Sequence, residues 1–326
     1  MAVNLRNKPL LDTAADASLF VDPPELLRID AALSQGLNVA VLGGPGSGKT
    51  TLLRQLTHQL REQGRPVVFV SAQHADDAAE ALRVVREELA HNGAVPKPLA
   101  GAARQSVDSG RPEDLVRTLE IPADEPTVVV LDDISAQAGH ELFGRLRDIL
   151  WQAPIGWLIA ARSEDRGLLA APADAFFEVI VDLEPLPSER IGELLRRRLG
   201  DDAGGVPLPA LADASRGNPR RALELARAVV IDGHELTSVL TEQARHEARA
   251  SELGRASSML LSEIQALGRA VSASDEELLR RMGWTRNRAV QVLGQLEHAG
   301  LLHSYAGRGP RGGTAKMYSI DRGAGS

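Results

Sequence analysis

The stretch that decides the fold is Gly43-Gly-Pro-Gly-Ser-Gly-Lys-Thr50, which has the form G-x-x-x-x-G-K-[ST]. Its glycines allow successive backbone N–H groups to turn inward and form a concave nest for an anion. In such a phosphate loop, Lys49 can reach the β- and γ-phosphates of a nucleotide and the Thr50 hydroxyl can bind Mg²⁺. The positive end of a following helix would point at the same charge. The stretch therefore predicts a site for ATP or another nucleoside triphosphate.

The patterns on either side of the phosphate loop have the order that this site requires. An apolar run at 38–42 is typical of a buried strand, and leucines at helical spacing predict an amphipathic helix over 51–60. The alternative is a glycine-rich turn that carries a lysine by chance, and the strand-loop-helix order disfavours it. The nucleotide-binding residues predicted in this segment are Gly44, Pro45, Gly46, Ser47, Gly48, Lys49, Thr50 and Thr51.

Length and composition exclude several classes of protein. A chain of 326 residues exceeds the ~250 at which single cores stop growing, so two or three domains are expected. The chain has no cysteine, no apolar run near the ~20 residues of a membrane span and no signal-peptide core, which predicts a cytoplasmic protein without disulfides. The net charge is −7, but residues 254–326 carry +4 and the rest −11. This asymmetry indicates a C-terminal module that faces nucleic acid.

A second chemical signature follows at Thr127-Val-Val-Val-Leu-Asp-Asp133, an apolar strand that ends in two acids. An aspartate at the tip of a buried strand beside a phosphate loop can hold Mg²⁺, and we assign Asp132 to this role. Asp133 is the candidate catalytic residue that polarises the attacking water, with Lys49 as the other catalytic group. Since its carboxylate is shorter than a glutamate, we expect slow hydrolysis.

Further strands are predicted at 66–70, 155–161 and 176–182, with helices at 76–90 and 113–119 and a loop at 91–110. Arg162 follows the strand at 155–161, where a cation would lie near the γ-phosphate. Five strands that alternate with helices predict an α/β fold, a parallel sheet with helices on both faces and the ligand at the carboxyl ends of the strands.

The phosphate loop, Leu131-Asp-Asp133, Ala161-Arg-Ser163 and Arg216-Gly-Asn-Pro-Arg-Arg-Ala-Leu223 follow one another in an order that resembles an AAA+ P-loop ATPase of the origin-recognition and archaeal-ATPase branch. That branch is itself similar to the STAND signalling ATPases. The resemblance implies an ATPase domain at 1–186, a helical lid at 187–253 and a winged helix at 254–326. It also implies ATP and Mg²⁺ as ligands.

The same resemblance suggests roles for individual residues. Val21 would belong to the adenine pocket, although Leu19-Phe-Val-Asp-Pro-Pro-Glu25 lacks the Gly-Arg pair of the family. Arg220 matches the sensor-2 arginine that touches the γ-phosphate, and Pro219 matches a STAND proline near the adenine. Asn218-Pro219 is also simply a good helix start. Arg166 is the nearest candidate for an arginine finger, and we favour a solvated arginine there, which again predicts slow hydrolysis.

The C-terminal segment is predicted to be a winged helix, with helices at 257–271, 275–282 and 285–299 and two short strands around a Gly/Arg-rich tip. In such a fold the last helix enters the major groove and the wing lies along phosphates. The alternative is a module that contacts protein and whose arginines are only solvated. The predicted DNA-binding residues are Thr285, Arg286, Asn287, Arg288, Arg308, Arg311 and Lys316.

Together these features predict a molecular switch in which bound ATP controls the binding of double-stranded DNA through the winged helix. A homo-oligomer or a protein partner is compatible with the same features, and a membrane is not expected. The competing hypothesis is a STAND-type signalling or defence ATPase whose winged helix mediates autoinhibition or protein contacts.

Overall fold

The computed structural model describes residues 3–6, 8–73, 75–92, 112–117, 119, 127–169, 171–308 and 314–320. The chain forms two compact units, Met1–Leu223 and Glu224–Ser326. The division falls within the segment predicted as the lid, and the domain boundaries after residues 186 and 253 stay predictions. Within the described residues, no helix is both long enough and apolar enough to cross a membrane.

The first unit is built on a five-stranded sheet in the order β2-β3-β4-β1-β5. Every neighbouring pair is parallel, as the alternation of strands and helices predicts. The sheet therefore brings the ends of β1, β3 and β4, which are far apart in sequence, to one edge. Its strands are β1 (Val39–Gly43), β2 (Val67–Ser71), β3 (Thr127–Asp132), β4 (Ile155–Arg162) and β5 (Val179–Asp182).

Helices cover both faces of this sheet, which is why its strands are continuous apolar runs. Successive residues of β1 alternate between two cores: Ala40 and Leu42 pack with α4, whereas Val39 and Val41 pack with α2 and α3. The α-helices of the first unit are α1 (Ala14–Ala17), α2 (Leu26–Ser34), α3 (Lys49–Glu62), α4 (Ala78–His91), α5 (Pro112–Arg117), α6 (Ala136–His140), α7 (Arg147–Leu150), α8 (Ser188–Leu199) and α9 (Leu208–Ser215). Shorter helical segments occupy Glu141–Arg145, Ser163–Leu169, Ala173–Phe176 and Gly200–Gly205.

The prediction of a strand from 176 is wrong at its start. Phe176 ends a 3₁₀ turn and β5 begins only at Val179. The reason is aromatic packing, because the rings of Phe176 and Phe177 lie 5.1 Å and 4.9 Å from the ring of Phe143 in the core. The predicted loop at 91–110 falls almost entirely outside the described residues.

Helix α10 (Pro219–Val230) begins in the first unit and ends in the second. The second unit continues with α11 (Leu236–Glu252), α12 (Arg255–Leu267), α13 (Glu276–Met282) and α14 (Arg286–His298). Its antiparallel sheet has the order β6-β8-β7, with strands β6 (Val271–Ser272), β7 (Leu302–Arg308) and β8 (Thr314–Ile320).

The prediction that a helix extends to Val271 is wrong. Helix α12 stops at Leu267 because Gly268 adopts a left-handed conformation with φ +63°. Val271 instead pairs with Tyr318, so that a third strand joins the two predicted ones. Three helices around a small sheet otherwise follow the predicted order.

Candidate nucleotide-binding site and nucleic-acid interface

The phosphate loop connects β1 to α3 and needs glycine at several positions. Gly46 and Gly48 have φ values of +76° and +98°, which glycine adopts with little strain. A Cβ atom on Gly43 would lie only 2.6 Å from Ser47 Oγ. The loop conformation therefore depends on the absence of side chains at these three positions.

The side chains of the loop are arranged to receive an anion. Lys49 Nζ donates hydrogen bonds to the carbonyl oxygens of Gly43 (2.6 Å) and Gly44 (3.0 Å), so that its charge lies against the loop. Ser47 Oγ is buried without a hydrogen-bond partner in the described part of the chain. A buried hydroxyl costs free energy when it makes no hydrogen bond, and a phosphate oxygen would accept one. These groups fit the triphosphate of a nucleotide.

The predicted metal ligands, Thr50 and Asp132, lie together. Asp132 is the last residue of β3 and is only 7% exposed. Burial raises the pKa of this carboxyl to about 6, and the charge of Asp133 adds to the rise, while a hydrogen bond from Thr50 and the charges of Lys49 and Arg54 oppose it. A buried carboxylate beside a hydroxyl suits a divalent cation, whose charge offsets the cost of burial.

Asp133 differs from Asp132 in both conformation and exposure. It lies just beyond the end of β3, is exposed to solvent and has a φ of +59°. A left-handed conformation is uncommon for any residue with a side chain, and aspartate tolerates it better than most. The chain therefore turns sharply after Asp132, and the two carboxylates have different environments.

Arg162 ends β4 and pairs in register with Gly43, the first residue of the phosphate loop. The structure thus brings this predicted sensor to the same edge of the sheet as the loop. Arg166, by contrast, donates to both carboxylate oxygens of Asp182 at 2.5 Å. That ion pair is largely exposed, in agreement with the interpretation of Arg166 as a solvated arginine.

The start of α10 touches the phosphate loop directly through Asn218, for which the sequence alone predicts only a place in a good helix start. Asn218 Nδ2 donates to the Pro45 carbonyl at 3.0 Å, while Asn218 Oδ1 accepts from the amide of Arg221 at 3.1 Å. The amide of Arg220 approaches Gly46 O at 3.4 Å. The sequence signal was present, since Asn218 lies in the motif that suggested Pro219 and Arg220.

These contacts leave little room at Gly46. A Cβ atom there would lie 2.7 Å from Asn218 Oδ1 and 2.9 Å from Arg220 Cβ. At Gly48 the nearest atom to a Cβ would be Pro219 Cγ, at 3.8 Å. The segment 218–220 therefore lies against the loop, where Pro219 and Arg220 were predicted to act.

The segment that contains Val21 is held between α3 and α8. Asp22 accepts a hydrogen bond from Gln55 of α3, and the carbonyl of Phe20 accepts one from Arg197 of α8. The ring of Phe20 also lies 6.4 Å from that of His58. Val21 is thereby fixed beside the helix that follows the phosphate loop, although the family's Gly-Arg pair is missing.

In the second unit, the predicted DNA-binding residues at the start of α14 are all exposed. Thr285 is the N-cap, and Arg286, Asn287 and Arg288 are exposed in the first turn. The guanidinium of Arg288 stacks over the ring of Trp284, 4.8 Å from its centroid. This stacking positions one cation at the helix N-terminus.

The predicted wing residues have different surroundings. Arg308 is exposed at the end of β7, and Arg311 lies outside the described residues. Lys316 donates to Glu297 Oε2 at 2.7 Å, and this bond, together with one from Ser304, lowers the pKa of Glu297. Lys316 would have to exchange this carboxylate for a phosphate in order to contact DNA.

Ion pairs, partly exposed to solvent, connect the helices of the second unit. Arg269 donates to Asp275, whose carboxylate also caps α13 through the amide of Leu278 (3.1 Å). Burial raises the pKa of Asp275, but the hydrogen bonds from Arg269 and Leu278 and the charge of Arg269 outweigh it, so the pKa lies below its ordinary value. Arg281 bonds to both Glu263 and Glu277. These arginines therefore support the framework of the second unit.

Comparison with known proteins agrees with this picture of the first unit. Residues 32–169 match the AAA domain family. The hemin import ATP-binding protein HmuV of Rhodopseudomonas palustris is 36% identical over 88 residues, which are 26% of this chain and 33% of that protein. The chain thus aligns with about a third of the length of this curated relative.

Two solved structures are similar over most of their length. The Aeropyrum pernix ORC1 protein, solved in complex with DNA, is 20% identical with a TM-score of 0.50, and the match covers 92% of this chain and 90% of that one. The Aeropyrum pernix ORC2 protein, in its ADPNP-ADP complexes, is 17% identical with a TM-score of 0.47, over 97% and 92% of the two chains. At such identity the similarity to ORC1 shows the fold. The first unit has the P-loop NTPase fold, and residues 32–169 within it match the AAA domain family.

Proposed function

We propose that the protein is an ATP-dependent switch in which the nucleotide bound at the phosphate loop controls DNA binding by a C-terminal winged helix. The observation that carries this proposal is the contact between Asn218 Nδ2 and the Pro45 carbonyl, at 3.0 Å. It joins the start of α10 to the loop that would hold the phosphates. Through this contact, a change in the bound phosphates can displace the start of α10.

The nucleotide would be held mostly by main-chain groups of the loop and by Lys49. Thr50 and Asp132 would hold Mg²⁺, which supplies charge neutralisation for the β- and γ-phosphates when it is bound. Val21 and Pro219 would flank the adenine. Asp133 would orient the attacking water, and its short, exposed carboxylate supports slow turnover.

The switch itself requires groups that distinguish ATP from ADP. Arg162 at the end of β4 and Arg220 at the start of α10 are the two cations that would contact the γ-phosphate. Only contacts that differ between the two nucleotide states can shift a conformational equilibrium. Helix α10 begins beside the loop and ends in the second unit. A displacement of its first turn would therefore move the helix that connects the loop to that unit.

Residues 254–326, which carry the net charge of +4, have the element order that DNA binding by a winged helix requires. Helix α14 would enter the major groove by its first turn, with the wing strands β7 and β8 beside it. Exposed cations at Arg286, Arg288 and Arg308 would contact phosphates, and Lys316 would join them after leaving Glu297. Arg311 stays a prediction at the tip of the wing. The similarity in fold to ORC1, which was solved with DNA, supports the same partner.

The test is DNA binding by the full chain in each nucleotide state. Affinity for duplex DNA is measured by fluorescence anisotropy at ~50 mM salt, where phosphate contacts are strongest, with ATP and Mg²⁺, with ADP, or without nucleotide. We expect affinities that differ between the ATP and ADP states. ATP turnover with and without duplex, and the particle mass in each state, complete the experiment.

The competing STAND-type function makes the opposite prediction. If the winged helix contacts protein, neither nucleotide state binds duplex DNA at low salt. Instead, the particle mass or the binding of a protein partner differs between the nucleotide states. That result would reject the DNA switch while leaving the nucleotide site intact.

A further inference from the structure

The outward side of α14 has a composition that internal packing does not explain. The helix buries Ala289, Val292, Leu293 and Leu296. With ~100° of rotation per residue, Asn287, Gln291 and Gly294 lie on the opposite side of the helix, and Val290 lies at its margin. We call these four residues, Asn287, Val290, Gln291 and Gly294, the reading face.

Gly294 is the first unusual member of this face. It lies in the interior of a regular helix, where glycine costs ~1 kcal/mol relative to alanine. Its φ is not positive, and a Cβ atom there would meet no described heavy atom within 4 Å apart from its own helix backbone and chain neighbours. No contact within the described protein therefore requires glycine. A glycine on an outer helix face allows a partner to approach the backbone closely.

Val290, one turn before Gly294, is the second unusual member of the reading face. It is 48% exposed although it is apolar and β-branched. A single exposed apolar residue is ordinary. Here it adjoins two exposed amide side chains, Asn287 and Gln291, and lies one turn before Gly294, where a Cβ atom would meet no neighbour.

The charges around the reading face favour DNA as its partner. Arg286 and Arg288 are exposed at the start of the same helix. The one acidic residue of α14 is Glu297, which is already bonded to Ser304 and Lys316. The reading face thus offers amides, one apolar group and nearby cations. The major groove offers base edges and thymine methyl groups between two rows of phosphates.

We propose that the reading face contacts base edges in the major groove, and that its site contains A·T pairs. In this arrangement Val290 packs against the C5-methyl group of a thymine, and the amide of Asn287 or Gln291 pairs with an adenine at N6 and N7. At Gly294, two turns after the first turn of α14, no side chain keeps the helix backbone away from the DNA. This inference rests on the proposed function, because it assumes that α14 enters the groove.

The methyl contact can be tested by deleting the methyl group from the DNA. The full chain, with ATP and Mg²⁺, first selects duplexes from a randomised pool, and each thymine of the preferred duplex is then replaced singly by deoxyuridine. We expect one replacement to weaken wild-type binding about 3- to 5-fold, the loss that one buried methyl group produces. Val290→Ala should lose this sensitivity.

Met259→Ala is the matched control, because Met259 is 47% exposed on α12 of the same unit. This variant should respond to deoxyuridine as the wild type does. Selection without any sequence preference, or a Val290→Ala variant that keeps the full deoxyuridine effect, would overturn the reading face. Failure of the wild type to bind duplex in any nucleotide state would overturn the proposed function as well, so the two failures are distinguishable.

The close approach at Gly294 has its own test. Gly294→Leu should weaken binding to all duplexes at least ~10-fold, while the thermal stability of the variant is equal or higher, since leucine favours helix. Gly204→Leu is the control, because a Cβ at Gly204 in the first unit also meets nothing within 4 Å. Unchanged DNA affinity of Gly294→Leu, in a folded protein, would overturn the proposal.

Discussion

The phosphate loop and the surface of α14 are built in opposite ways. The loop site combines the ends of β1, β3 and β4 with the start of α10, and many of its polar groups belong to the main chain or are buried. The α14 surface comes from one continuous helix and consists of exposed side chains. A site of the first kind depends on backbone geometry, whereas one of the second kind depends on a sum of separate contacts.

This difference sets the expected response to mutation. A single substitution at the loop either removes a group that no other residue can replace, or pushes apart the strand ends and the start of α10 that form the site. A single change on α14 removes one contact among several, so that its effect is graded and, for cations, dependent on salt. The following substitutions measure this contrast, from the largest expected effect to the smallest.

Lys49→Ala should have the largest effect. We expect it to weaken ATP binding at least ~100-fold, because a charge-assisted contact to the β- and γ-phosphates is lost. Calorimetry or a fluorescent ATP analogue measures the affinity, and circular dichroism checks the fold. Lys316→Ala, the same change in the second unit, should leave ATP affinity unchanged. Retained ATP binding by folded Lys49→Ala would reject the phosphate-loop assignment.

Gly46→Ala tests the contact between the loop and α10. Gly46 and Gly36 have nearly equal φ values, +76° and +74°, so alanine adds a similar backbone strain of ~1 kcal/mol at both. Only at Gly46 would the new Cβ overlap Asn218 and Arg220, whereas at Gly36 it meets nothing within 4 Å. We expect ATP affinity to fall ~10-fold or more in Gly46→Ala and to stay unchanged in Gly36→Ala. Equal affinities would contradict the role given to this contact.

Replacing Arg286 and Arg288 together by alanine should give a smaller, salt-dependent effect. We expect DNA affinity at ~50 mM salt to fall several-fold, and the slope of log K against log salt to decrease by about 2, one for each phosphate contact. The control replaces Arg245 and Arg249, two exposed arginines of α11. An unchanged slope in the Arg286/Arg288 variant would move the DNA interface elsewhere.

Asp275→Asn should have the smallest effect, at the framework beneath α14. Because the pKa of Asp275 is lowered in the folded protein, its charged form contributes stability above the ordinary value of ~3.9, and this contribution disappears as the pH falls through the lowered pKa. We expect the variant to lose about 1 kcal/mol at pH 7 and to be less sensitive to acid below pH 4. Denaturant unfolding at pH 7 and pH 3, with exposed Asp232→Asn as control, measures both.

Much of the first unit follows from local pattern. The apolar runs at β1, β3 and β4 and the phosphate loop between β1 and α3 were predicted within a residue or two, because buried parallel strands are continuous apolar segments. The errors occurred where distant packing prevails over local pattern. Phe176 joins an aromatic cluster instead of a strand, and Val271 pairs with Tyr318 instead of extending a helix.

The residues proposed to act in function divide in the same way. Lys49, Thr50 and Asp132 are recognisable from sequence because their chemistry depends on residue type and spacing. The contact of Asn218 with Pro45 and the pairing of Lys316 with Glu297 cannot be recognised from sequence. Each joins two segments whose distance in space depends on the whole fold.

The sequence by itself therefore determined the nucleotide site, the parallel α/β sheet around it and the basic character of the C-terminal segment. These properties come from short segments with a strict chemical form. The tertiary structure alone decided the strand order β2-β3-β4-β1-β5, which gathers Asp132 and Arg162 beside the loop, and the position of Asn218 against Pro45. It also decided which side of α14 is buried, leaving Val290 and Gly294 outward, because burial depends on what packs against a helix.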